Sequence, residues 1–173
     1  MTRRPSNKRC PVLSLTVHPG AEVWAPDART IEHLACQLSG DVQIDLYPRS
    51  VLPALWERDY GEPYALDSHA FRGWSDARHV TLLADETETP GSIAWLLAHE
   101  LAHIELGRTP SLREHYRSIP KPVGYLSSDS AHEAWPEEGL ANEMADDLMR
   151  ELDLVPGRDR LWWRRRVLAM RGG

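Results

Sequence analysis

Residues 90–106 limit what this chain can fold into: they form a long apolar stretch, yet His99, Glu100 and His103 stand inside it. Thr89 offers a hydroxyl to cap a helix, Pro90 suits its first position and Gly107 suits its end. Ile93, Ala94, Trp95, Leu96, Leu97, Ala98, Leu101, Ala102 and Ile104 leave such a helix apolar around most of its circumference. A helix of that kind must be enclosed by the rest of the fold. Two imidazoles and a carboxylate in its middle are costly to bury unless they are paired or coordinated.

The spacing points to coordination. In His99-Glu100-Leu101-Ala102-His103, the two histidines are four residues apart, so both rings leave the same helix face one turn apart. Their nitrogens can then share one ion at about 2.0–2.1 Å. Glu100 lies one step round the helix, where it meets a water on that ion and can take its proton. Composition alone would produce the pattern about 0.03 times in a chain of this make-up. A catalytic zinc needs a third protein ligand and keeps a fourth position for water. A following Gly-x-x-His extension is excluded, because Leu106 and Thr109 occupy the positions it requires. The ligand must come from a later helix, and the acidic candidate is Glu137-Glu-Gly-Leu-Ala-Asn-Glu143. Leu140, Met144 and Leu148 recur every four residues and should face the core. Glu143 neighbours that stripe and Glu138 lies on its flank, so spacing leaves Glu138, Glu143 and Glu137 all open.

Leu97-Ala-His-Glu-Leu-Ala-His103, followed by Glu138-Gly-Leu-Ala-Asn142-Glu-Met-Ala145, resembles the ImmA/IrrE family of bacterial and phage metallopeptidases. The match spans about residues 78–150. Trp135-Pro-Glu-Glu-Gly-Leu-Ala141 is similar to a segment of gluzincin aminopeptidases. Both resemblances imply Glu138 as the third zinc ligand, with Asn142 as its neighbour one turn on. Asn142-Glu143 with the later Asp146 and Asp147 is similar to a thermolysin-like stretch, which would make Glu143 the ligand instead. The ImmA/IrrE resemblance implies a zinc endopeptidase with one Zn2+, acting on a specific intracellular protein such as a DNA-binding repressor. An oxyanion stabiliser is expected near the metal, and Tyr125, His132, His115 and Tyr116 lie between the two site helices. His18, His33, His69 and His79 read as structural.

Elsewhere the patterning predicts strands over 12–18, 42–47 and 78–84, and a helix over about 28–38 capped by Asp27. Residues 48–77 read as loops with short helical pieces, and residues 108–129 as irregular. Further helices are expected over about 137–152 and 159–171. The expected architecture is one α+β, zincin-like domain over 1–173. A small mixed or antiparallel sheet should pack on the histidine-bearing helix, with the 137–152 helix crossing it.

The net charge of −6 is uneven. Residues 1–9 carry four basic and no acidic groups, residues 158–173 carry six Arg against Asp159, and residues 10–157 balance at −15. A basic N-terminal segment over 1–10 and a basic C-terminal helix over 158–173 thus flank an acidic body. Such a body repels phosphate backbones, which argues against direct nucleic-acid binding. Two alternatives remain: a non-enzymatic binding module that uses its basic ends and Trp162-Trp163 as a contact surface, and a small aminopeptidase. Cys10 and Cys36 read as buried or indifferent thiols rather than a disulfide framework. No apolar run reaches the ~20 residues that span a bilayer, and residues 1–20 make a poor secretory signal, so the expected location is cytoplasmic.

Overall fold

The structure, a computed structural model, describes residues 9–64, 72–123, 125 and 129–154. The helix expected over 159–171, the basic N-terminal residues 1–8 and His69 lie outside the described residues.

Four strands form a mixed sheet in the order β1 (Leu13–Val17), β2 (Val42–Pro48), β4 (His79–Ala84), β3 (Gly73–Ser75). β1, β2 and β4 run parallel, and β3 lies antiparallel on the edge of β4. The parallel neighbours need crossovers, which α1 (Ala28–Ala35) and α2 (Leu52–Tyr60) supply. Asp27 caps α1 through Thr30 N, as its sequence position predicts. α3 (Pro90–Gly107) follows β4, then α4 (Pro110–Ser118), α5 (Asp129–Glu133) and α6 (Pro136–Leu154).

Alternation decides which sheet face is covered by what. Val42, Ile44, Leu46, Val80, Leu82 and Ala84 are buried in one cluster with Ile93, Leu97 and Leu101 of α3 and Ala141, Met144 and Leu148 of α6. On the opposite face, Leu83 packs with Leu52, Leu55 and Trp56 of α2. α3 is therefore enclosed by the sheet and α6, as its apolar circumference requires. Its start is fixed by a reciprocal capping box: Thr89 accepts from Ser92 N while the Ser92 hydroxyl accepts from Thr89 N. Its end is clamped. Glu105, 6% exposed, accepts from Ser39 N and Oγ and from Arg108. Arg108 also donates to the carbonyls of Gly40, Asp41 and Ala77.

Three expectations need correction. Residues 48–77 contain, besides the short helix α2 expected there, the edge strand β3, and residues 108–129 contain α4. The cysteines are not thiols, because Cys10 and Cys36 form a disulfide with their Cα atoms 4.6 Å apart. The residues leading into β1 and the C-cap of α1 meet at one end of the sheet, within bridging distance. No helix among the described residues is long and apolar enough to cross a membrane.

Outside the core, Asp45 of β2 accepts from Nε2 of His18 and of His79, each at 2.7 Å. Burial opposes the Asp45 charge, but the two imidazole bonds outweigh it and hold its carboxyl below the ordinary 3.8. A depressed carboxylate stabilises the fold above its unfolded pKa and loses that contribution as pH falls through the folded one. Asp45→Asn should therefore cost about 1–2 kcal/mol at pH 7, with the deficit shrinking below about pH 4; urea unfolding at pH 7 and pH 3 measures both. The disulfide closes a loop with a sequence separation of 26. Replacing both cysteines by serine should lower the melting temperature by roughly 10 °C, and reductant should lower the wild type to the same value.

Candidate metal centre

α3 and α6 pack on each other, and both carry small residues into the core they share. Ala98 and Ala102 on one helix, and Ala141 and Ala145 on the other, are all buried. Alanines at a crossing let two helices approach closely, which brings the first turn of α6 over the middle of α3. Glu137 and Glu138 stand in that first turn behind Pro136, where the helix dipole favours negative charge.

The approach assembles the predicted group. His99 Nε2 and His103 Nε2 are 3.1 Å apart, and each is 3.2 Å from Glu138 Oε2. Ligands placed tetrahedrally at zinc distances of 2.0–2.1 Å stand about 3.3–3.4 Å from one another. Three donor atoms of the right kinds thus already hold the corners such an ion needs. His99, His103 and Glu138 form a buried group that could hold a metal ion. Glu143 is exposed and stands outside it. Glu137, the other acidic candidate, instead receives a bond from His103 Nδ1 at 2.8 Å. That bond turns Nε2 toward Glu138, the arrangement by which a carboxylate fixes the tautomer of a metal-binding histidine. His99 has no such partner: its Nδ1 is buried without a hydrogen bond. Its ring is held by stacking on Trp95, centroids 5.6 Å apart, and Trp95 is itself pinned by Nε1 donating to Asp146 at 2.8 Å.

Glu138 collects further donors. His132 Nε2 lies 3.1 Å from Oε2, and the Tyr125 hydroxyl donates to Oε1. Burial opposes the Glu138 charge, but the bonds from His103, His132 and His99 hold its carboxyl far below the usual range. Burial likewise opposes a charge on His103, yet the bonds to Glu137 and Glu138 push it up to about 10. Bonding to Glu138 raises His132, with burial opposing. Burial and the same carboxylate raise Tyr125, keeping its phenol protonated.

Glu100, 7% exposed, stands one step round α3 from His99 and lines the same cleft. Its Oε2 accepts from Ser75 Oγ of edge strand β3 at 2.7 Å. His99, Glu100, His103 and Glu138 all line one open cleft of about 1120 Å³, together with Tyr125, His132 and Asn142. Ser75, Trp95 and the orienting role of Glu137 were not legible beforehand. Ser75 lies on a three-residue strand in a Pro- and Gly-rich stretch, and nothing in its neighbours announces a contact 25 residues away. His115 meets buried Tyr116 edge-on, is exposed to solvent and is not part of the group.

No protein-family description, curated protein or solved structure matches this chain.

The protein should take up one divalent ion per chain. Glu138→Ala should lose it, Glu137→Gln should weaken affinity about 10–100-fold, and Glu143→Gln should leave it unchanged. Metal content after dialysis, followed by calorimetric titration, measures all three.

Proposed function

We propose that this chain is a zinc metallopeptidase of zincin-like fold that cleaves within a protein substrate. The observation that carries the proposal is a buried carboxylate, Glu100, beside a two-histidine, one-glutamate group in an open cleft. A closed structural site needs no base beside it and no access from solvent. The resemblance of the α3 and α6 motifs to ImmA/IrrE peptidases supports the same reading, and by analogy makes a repressor-type protein a candidate substrate.

Two nitrogens and one carboxylate oxygen are the ligand set of many catalytic zinc sites. His99, His103 and Glu138 would hold the ion, which when bound supplies a water of pKa roughly 7 and polarises the peptide carbonyl. The chain's own residues do the rest. Glu100 takes the proton of the attacking water and passes it to the departing amine. Ser75 holds one oxygen of that carboxylate, which lines the cleft. Glu137 fixes His103. Tyr125 stays protonated and His132 is pulled toward its charged form, so both are donors within the cleft. Either must give up its bond to Glu138 to steady the negative oxygen that develops on the scissile carbonyl. Asn142 lines the same wall one turn beyond Glu138.

Glu100→Gln should reduce cleavage of a protein substrate by about 10²–10⁴-fold while zinc content stays at one ion per chain. Undiminished cleavage in that variant would overturn the mechanism. Peptides with free and acetylated N-termini should be cut alike, because an internal bond is the target.

A further inference from the structure

We propose that the α4 wall of the cleft selects substrate segments bearing carboxylates on alternate residues. The proposal rests on the peptidase reading of the metal centre. Arg113 and Arg117 stand one turn apart on α4, Lys121 follows just beyond its end, and all three are exposed and line the cleft. Among the described residues, neither guanidinium has an ion pair or a hydrogen bond. The other cations of the cleft are neutralised: Arg72 pairs with Glu88 and Arg108 with Glu105. Of the lining acids, Glu100, Glu137 and Glu138 belong to the metal centre, and Asp76 accepts from the main-chain N–H groups of Arg78 and His79. Only Glu133 faces the cleft as an exposed carboxylate without such a task. In a chain of net charge −6, two guanidiniums without such a partner and a Lys121 ammonium held only over aromatic rings are a concentration of positive charge beside one site.

The strip reaches the centre. Lys121 Nζ lies 4.1 Å from the centroid of Tyr125 and 4.7 Å from that of Trp135. The Tyr125 hydroxyl is bonded to Glu138 on its far side. A segment that presents a peptide bond to the metal would therefore run its flank along Lys121 and α4. The spacing fits an extended chain. Four residues of helix advance about 6 Å, and alternate side chains of a stretched peptide stand about 6.6–6.8 Å apart on one side. Arg113 and Arg117 thus match two carboxylates separated by one residue, with Lys121 taking a third nearer the scissile bond. Fixed forks such as Arg prefer carboxylates over water when geometry allows both N–H groups to engage. A nucleic acid fits less well, because the neighbouring carboxylates repel a continuous phosphate chain.

Binding to the full-length Glu100→Gln protein loaded with zinc tests this without turnover. The probes are a fluorescent nine-residue peptide with Asp at alternate positions, its Asn counterpart, and a single-stranded oligonucleotide. The acidic peptide should bind about tenfold tighter than the neutral one, with the advantage shrinking as salt rises. R113Q/R117Q should erase the advantage, and R113E/R117E should reverse it in favour of a Lys-containing peptide. Equal binding of the two peptides, or an advantage that survives R113Q/R117Q, would overturn the proposal. So would tighter binding of the oligonucleotide, which would make the strip a phosphate contact. Circular dichroism of both variants confirms that they fold. An acidic preference that responds to the arginines, in a wild type that cuts none of the peptides, would uphold the strip and refute the peptidase reading instead.

Discussion

A carboxylate that is 2% exposed keeps its charge only if other groups replace the water it has lost. Glu138 is supplied by His99, His103, His132 and Tyr125. The donors come from three separate parts of the chain, so this one side chain fixes how α3, α6 and the segment between them sit. Its position in the first turn of α6 adds the dipole of a nineteen-residue helix to the same charge. The centre is therefore a structural knot as well as a group that could hold a metal ion, and both roles draw on the same interactions.

The knot depends on packing that carries no chemistry itself. Ala98, Ala102, Ala141 and Ala145 are buried in the core that α3 and α6 share, and a larger side chain there would disturb the packing that sets Glu138 beside the imidazoles. The sheet contributes in a different way. β4 and α3 share one core, while β3 adds a short edge whose Gly73 lies against Thr81: a Cβ there would stand 2.7 Å from the Thr81 carbonyl. That close approach carries Ser75 to Glu100. Two layers thus address two carboxylates: helices hold Glu138 and the strand edge holds Glu100.

How far the sequence could be read follows from where each stabilising interaction lies along the chain. The bounds of α3 were legible because Thr89, Pro90 and Gly107 act within one turn of themselves. The histidine pair was legible because helical spacing alone puts both rings on one face. Glu138 could be narrowed only to a short acidic stretch, since the choice between it and Glu143 depends on how α6 crosses α3. β3 was missed because three residues carry no period and owe their pairing entirely to β4. α4 was missed for another reason: Thr109-Pro110 repeats the Thr89-Pro90 start signal, but the run after it is mostly polar and its apolar stripe is the thin one of Leu112, Tyr116 and Ile119. The disulfide was missed because a sequence separation of 26 says nothing about which residues lie beside one end of the sheet. α1 and β2 read correctly because Asp27 and the strict alternation of Val42 to Tyr47 are local signals.

The clamp at the end of α3 ties the histidine-bearing helix, which also packs on α6, to the margin of the sheet. Arg108 joins that helix to the carbonyls of Gly40, Asp41 and Ala77, and Glu105 beside it holds Ser39. His99, Glu100 and His103 ride on the clamped helix, whereas Glu138 is carried to them by α6. Pinned at its start by the capping box and at its end by Arg108, α3 is the fixed reference against which the Glu138 carboxylate of α6 is set.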